Sequence, residues 1–197
     1  MNVYDVGTVE EAKQIILTPI GDYTTDERWE CESPYLLRLI EQSFNLDRHS
    51  VVLDYGCGIG RMAKALIDKY NCYVVGVDTS PSMRAHAIEY VASKKFSCCT
   101  HEDLRHHVGV YDAALAIWVL QHCENVERDI TRIRDSLKPE AKCLVVNSYT
   151  RYIPTNGDWM DDGKDVLRML GSRPEKLSSK HVGEELADTC YWTLFGE

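Results

Sequence analysis

Residues 51 to 61 read VVLDYGCGIGR: a five-residue run with the composition of a buried strand, three glycines at alternate positions, then the opening of a helix-like segment. A strand that turns through Gly56, Gly58 and Gly60 into a helix confines the chain to an α/β architecture. Without a Cβ, backbone can turn tightly and approach a ligand at the carboxyl end of the strand, where open α/β sheets bind their ligands. The pattern then repeats. YVVGVD (73 to 78), AALAIW (113 to 118) and CLVV (143 to 146) are nearly continuous in apolar residues, as strands buried on both faces are. Between them lie helix-like stripes, Met83, Ala87 and Val91 after a Ser80 cap and Pro81, and Val126, Ile130, Ile133 and Leu137 after Asn125, stopping at Lys138-Pro139. This alternation predicts a parallel sheet covered by helices.

The segment 1 to 49 reads as a helical cover, with a capping box at Thr8 and Glu11 and a helix starting at Ser33-Pro34 through Leu36, Leu37, Ile40 and Phe44. Residues 50 to 147 form the core, and 148 to 197 supply irregular Asp-, Gly- and aromatic-rich chain, a short helix near 163 to 170 and a final YWTLF strand. At 197 residues, with no repeat or linker, one domain is expected. The 31 acidic residues outnumber the 22 Lys and Arg to give a net charge of -9, which disfavours nucleic acid and an anionic membrane surface as partners. The acidic N-terminus lacks the build of a secretory signal and no run approaches a spanning length, so a cytoplasmic protein is expected. The eight cysteines contain no C-x-x-C pair, which favours reduced thiols and no metal centre.

Eighteen residues after Gly60, Asp78 ends the second strand, where an acid accepts hydrogen bonds from ribose hydroxyls. The loop reads G-x-G-x-G rather than the dinucleotide fingerprint G-x-G-x-x-G, and Asp54 precedes it. An acid there repels a pyrophosphate and suits a cationic amino group, which points to an amino-acid-bearing nucleoside.

The run VLDYGCGIGR, the strand-end acid in VVGVDTSPSM, YDAALAIWVLQH and KPEAKCLVVN together resemble the class I S-adenosylmethionine-dependent methyltransferase family over roughly residues 50 to 147. The resemblance implies a three-layer αβα Rossmann-like sandwich, with a mostly parallel seven-stranded sheet whose antiparallel strand comes from 191 to 195. It implies S-adenosylmethionine as cofactor, with Gly56, Cys57, Gly58 and Gly60 along the methionine portion, Asp54 facing its amino group and Asp78 on the ribose. Thr79 and Met83 would flank the adenine, with Ile117 completing the cofactor wall. Many members place an Asp after strand three for the adenine amino group; here CCTHEDL puts Thr100 at that place, leaving Glu102 or Asp103 to substitute.

The activated sulfonium asks the protein mainly to align an acceptor and exclude water. Where the acceptor must lose a proton, His122 is the candidate base, with Gln121 beside it; the competing role for His122 is to cap or pack the loop. Trp29, Tyr23, Asn147, Tyr149, Arg151 and Trp159 are candidates for the substrate wall, Arg151 as partner of a substrate carboxylate. Magnesium on Asn147, Asp158, Asp161 and Asp162 is disfavoured against a turn and helix start. The place where members acting on bases or glutamine carry Asn/Asp-Pro-Pro-aromatic reads Ile117-Trp118-Val119-Leu120, without proline. The expectation is methyl transfer to an O or N atom of a small molecule; the alternatives are a non-catalytic module that binds the cofactor, and an NAD-dependent oxidoreductase. Nothing in the residues assigns an oligomeric state.

Overall fold

Two capping boxes open the chain. In the computed structural model, which describes residues 4–156 and 158–196, Thr8 and Glu11 cap helix α1 (Val9–Ile16), and Thr24 and Glu27 cap α2 (Thr25–Ser43). The second helix thus starts nine residues before the expected Ser33, and Pro34 lies inside it. Its first turns carry no apolar stripe because their inward positions are Arg28 and Glu32, buried as an ion pair with Nε and Oε1 2.6 Å apart.

Strand β1 (Val51–Tyr55) leads through the glycines into α3 (Arg61–Tyr70), followed by β2 (Tyr73–Val77), α4 (Pro81–Val91), β3 (Phe96–Cys99), β4 (Tyr111–Ile117), α5 (Val126–Ser136) and β5 (Leu137–Ser148). Beyond it come a small hairpin, β6 (Ile153–Pro154) and β7 (Trp159–Met160), then α6 (Val166–Leu170), β8 (Glu175–Lys176), α7 (Ser179–Val182), α8 (Glu184–Thr189) and β9 (Cys190–Phe195). The main sheet has the order β3-β2-β1-β4-β5-β9-β8, parallel from β3 to β5, with β9 antiparallel to β5 and to β8. This is the Rossmann-like αβα sandwich expected, and the 191 to 195 run supplies its antiparallel strand.

Period-two alternation assigns the strands' side chains to two cores. Val52, Val74, Ala113, Leu115, Leu144 and Val146 pack with α2, α3 and α4, and with Val182 and Leu186 near the C-terminus. Leu53, Tyr55, Val77, Ala114, Ala116 and Val145 face α5 and α6. Each large apolar side chain buried this way contributes about 1.5–3 kcal/mol relative to exposure. The expected caps hold: Ser80 Oγ accepts from Met83 N–H at 3.2 Å with Pro81 in the first turn, and Asn125 Oδ1 accepts from Arg128 N–H at 3.2 Å.

One boundary differs. The helix α5 ends at Ser136, and β5 begins at Leu137 rather than at Cys143. Its first half bulges, with a register shift against β4 and Glu140 at φ 64°, so only the second half has the buried signature legible in sequence. Among the described residues no helix is long and apolar enough to cross a membrane, and all eight cysteines are free.

Candidate active site

The carboxyl ends of β1, β2 and β4 open onto a cavity of about 1030 Å³, roofed by Ile15 and Ile16 of α1. Such a volume lies at the upper end of that of small-molecule sites, roughly 300–1,000 Å³. Gly56, Gly58, Asp78, Thr79, Met83, Ile117, Gln121, His122 and Trp159, all singled out in the sequence, line it.

The glycine loop is fastened to β2. Gly56 N–H and Cys57 N–H both donate to the Val77 carbonyl, at 2.7 and 3.0 Å. The Asp78 carboxylate accepts from Gly58 N–H through Oδ2 and from Ser80 N–H through Oδ1, both at 2.9 Å, while Arg84 Nη1 donates to its carbonyl at 2.6 Å. Burial pushes the Asp78 carboxyl up, against the pull of these N–H groups. Two accepted bonds leave lone pairs free on both oxygens, enough for ribose hydroxyls. Behind the loop, burial pushes the Asp54 carboxyl up to about 7, opposed by the Ala63 N–H and the Arg61 guanidinium, and Asp54 Oδ2 is closed to solvent without a hydrogen-bond partner. A buried acceptor left unpaired beside a cradle of glycines fits the cationic amino group of an amino-acid-bearing nucleoside.

His122 ends a short 3₁₀ turn after β4. Asn147 Oδ1 accepts from Gln121 N–H at 2.9 Å, and Gln121 Oε1 accepts from Ser148 N–H at 2.8 Å. That second bond turns the Gln121 amide so that its Nε2 faces His122 Nε2 at 3.3 Å. The imidazole therefore accepts at Nε2 and carries its proton at Nδ1, which donates to the Tyr152 carbonyl at 2.6 Å. Burial, with the Arg151 charge adding to it, lowers the His122 pKa from 6.5, while the Tyr152 bond raises it. The Tyr152 and Trp159 rings stand beside His122, with centroids 6.4 and 5.5 Å away.

Other expected residues lie elsewhere. The Arg151 side chain is fully buried and donates to the carbonyls of Leu120 and Cys123 and to Asp162 at 2.8, 2.6 and 2.8 Å, so it braces the His122 turn instead of meeting a substrate carboxylate. Arg151→Ala is expected to cost about 3 kcal/mol of stability in a denaturant titration, because it strands those acceptors. Asn147 is wholly buried and acts on Gln121 from below; Tyr149 is exposed and packs on Tyr191, 4.9 Å between centroids. Trp29 packs against Tyr90 under the cationic groups of Lys13 and Arg61, and Tyr23 bridges to Ile20, neither reaching the cavity wall. Glu102 pairs with Arg132 at 2.8 Å, and Asp103 accepts from Thr100 N–H and Oγ1, so both are spent on the loop after β3. Gly60 backs onto Val91 of α4, and Cys57 is buried beneath the loop. Asp158, Asp161 and Asp162 accept from neighbouring N–H groups, and no cluster of metal-ligating side chains is found among the described residues.

Sequence reasoning missed Arg28, His101, Trp118, Asp129 and Tyr152, which also line the cavity. Asp129 is 4% exposed and takes the Tyr55 hydroxyl and the Cys123 thiol as partners. Only the i, i+4 pairing of Arg28 with Glu32 was visible in the sequence; the others are gathered by the sheet's crossovers.

Residues 53–145 match the sequence profile of the methyltransferase domain. Over 172 residues, 80% of this chain and 75% of the relative, identity to N-terminal Xaa-Pro-Lys N-methyltransferase 1 of Rattus norvegicus is 28%. Over 114 residues, 55% of this chain, identity to phosphoethanolamine N-methyltransferase 2 of Caenorhabditis elegans is 27%, and the match spans 26% of that protein. In fold, magnesium protoporphyrin IX methyltransferase from Synechocystis PCC 6803 with bound SAH superposes with a TM-score of 0.63 at 16% identity, covering 94% of this chain and 91% of the other. With the glycine loop, the strand-end acid and the sheet order in agreement, the profile match supports a class I S-adenosylmethionine-dependent methyltransferase.

Proposed function

We propose that the protein transfers the methyl group of S-adenosylmethionine to the nitrogen of a small-molecule amine, with His122 Nε2 taking the proton that the amine must lose once the bound amine displaces the long, 3.3 Å contact from the Gln121 amide. The observation that carries this reading is the hydrogen-bonded chain from Ser148 through Gln121 and His122 to Tyr152, which keeps a neutral imidazole at the cavity wall. Bound cofactor supplies an electrophilic methyl carbon, so the side chains have only to place the acceptor, strip its proton and keep water away. Asp78 would take the ribose, Thr79, Met83 and Ile117 the adenine, and Asp54 the amino group. Trp118, Tyr152 and Trp159 give the acceptor side an aromatic wall, and Glu124 and Glu185 add negative charge to the cavity. Arg28 and Arg128 on the same wall each face a carboxylate, Glu32 and Asp129, which leaves the balance in favour of a cationic amine.

A second reading, the terminal amine of a polypeptide, draws on the N-terminal methyltransferase relative that matches 80% of the chain. The half-exposed Tyr152 and Trp159 at the cavity mouth leave room for a chain to enter. Turnover with S-adenosylmethionine separates the readings: a panel of small amines, including phosphoethanolamine, is run beside peptides beginning Xaa-Pro-Lys, and mass spectrometry identifies the methylated product. Methylation of hydroxyl acceptors alone would overturn the amine assignment.

For His122 the expected pH dependence has a definite sign. The neutral imidazole is the working form, so the rate on the amine rises with pH through the His122 pKa, which lies below 6.5, and then levels. His122→Ala should lose that limb and at least about tenfold in kcat while cofactor affinity holds. An unaltered pH–rate profile would return His122 to a packing role.

A further inference from the structure

Four charged side chains from three elements meet beneath the N-terminal cover: Arg28 and Glu32 of α2, Asp54 of β1 and Arg61 at the start of α3, none more than 6% exposed. Arg28 is fully engaged on one side, Nε to Glu32 Oε1 and Nη1 to the Thr18 carbonyl, each at 2.6 Å. The other half of the cluster leaves hydrogen-bonding atoms unmet. Arg61 Nη1 stands 3.9 Å from Glu32 Oε2, too far for a hydrogen bond, with its guanidinium 5.4 Å from the centre of the Trp29 ring. Glu32 Oε2, Arg61 Nη1 and Asp54 Oδ2 are all closed to solvent and all lack a hydrogen-bond partner.

Buried polar atoms are normally hydrogen-bonded, so three without a hydrogen bond in one cluster, two of them facing each other only as a 3.9 Å ion pair, fit a site that a ligand completes. The set is one donor and two carboxylate oxygens, against which two guanidinium charges stand, and a zwitterion complements it: an anion for Arg61, an ammonium for Asp54. The methionine end of S-adenosylmethionine is such a group.

We propose that Glu32 is a positioning residue for the amino-acid end of the cofactor. Held by Arg28 through one oxygen, it orients Arg61 with the other, so that the guanidinium presents Nη1 to the cofactor carboxylate. This inference rests on the cofactor alone and not on the acceptor. It gives the N-terminal cover a part in cofactor recognition, because α2 supplies the carboxylate and α1 leads into Thr18, whose carbonyl anchors Arg28.

Calorimetric titration of the full chain with two ligands tests it: S-adenosylhomocysteine, and methylthioadenosine, which keeps the nucleoside and sulfur but lacks the amino-acid end. Glu32→Gln should weaken S-adenosylhomocysteine at least about tenfold and methylthioadenosine by less than about twofold, the scale of one charge-assisted bond. Glu32→Asp keeps the charge but withdraws it by one methylene, so its loss should fall between wild type and Gln and again be larger for S-adenosylhomocysteine than for methylthioadenosine, which keeps the test if the Gln variant is too unstable to titrate. Equal losses for both ligands would make Glu32 only a fastening for the cover, and affinity for S-adenosylhomocysteine unchanged in both variants would remove it from cofactor binding; either result overturns the proposal.

Discussion

Asp78→Ala is expected to lower affinity for S-adenosylhomocysteine at least about a hundredfold, close to 3 kcal/mol. Two backbone donors converge on the carboxylate, Gly58 N–H and Ser80 N–H, one on each oxygen at 2.9 Å. Alanine leaves both without their acceptor and removes one of the glycine loop's ties to the end of β2. The ribose hydroxyls lose their partner in the same step, and a hydrogen bond to a charged group is worth about 1.5–3 kcal/mol. Asp78→Asn keeps one acceptor oxygen and should lose about tenfold. Calorimetry on the three proteins provides the check, and an Ala variant that binds like wild type would sink the ribose assignment.

Gly56→Ala should destabilise the fold by about 2–5 kcal/mol. Gly56 sits at φ +73°, a left-handed conformation that costs an L-residue about 1–2 kcal/mol. A Cβ built there would lie 2.2 Å from Val119 Cγ2 and 2.6 Å from Val119 Cβ, and overpacking of that kind costs about 1–3 kcal/mol. The loop cannot slide away, because Gly56 N–H is held at 2.7 Å by the Val77 carbonyl. For a chain of this size the expected fall in Tm is about 5–15 °C. Val119→Ala in the same chain should recover only the part of the loss owed to the Val119 methyl groups, because its Cβ stays 2.6 Å away, and a double-mutant cycle measures that part. A Tm unchanged by Gly56→Ala would show that the turn relaxes more freely than its hydrogen bonds suggest.

Wherever one local rule dominates, the fold was legible. The strands at 51 to 55 and 73 to 77, the Ser80 and Asn125 caps and the antiparallel 191 to 195 run follow from apolar continuity and capping chemistry, and the structure has them all. The start of α2 was not legible, because Arg28 and Glu32 take inward positions that a stripe of apolar residues normally fills; only the tertiary partners Arg61 and Thr18 make that burial tolerable. The first half of β5 was hidden by Pro139 and a bulge at Glu140. At the site, the glycines and Asp78 were legible because they belong to one strand–loop–helix unit. Arg151 was misread for the opposite reason: an arginine in a polar loop looks free, and its burial under the His122 turn depends on carbonyls 28 and 31 residues away. Tyr152, the Nδ1 partner of His122, lies 30 residues beyond it and carried no local signal.

The cavity above Gly56, Gly58 and Asp78 is expected to take S-adenosylmethionine. The most direct test is calorimetric titration of the purified protein with S-adenosylmethionine and S-adenosylhomocysteine, with NAD as the control ligand and Asp78→Ala as the control protein. Saturable binding of the first two at one per chain is expected, with no binding of NAD and loss of the signal in the variant. Binding of NAD in their place, or binding of S-adenosylhomocysteine that Asp78→Ala leaves untouched, would contradict the assignment.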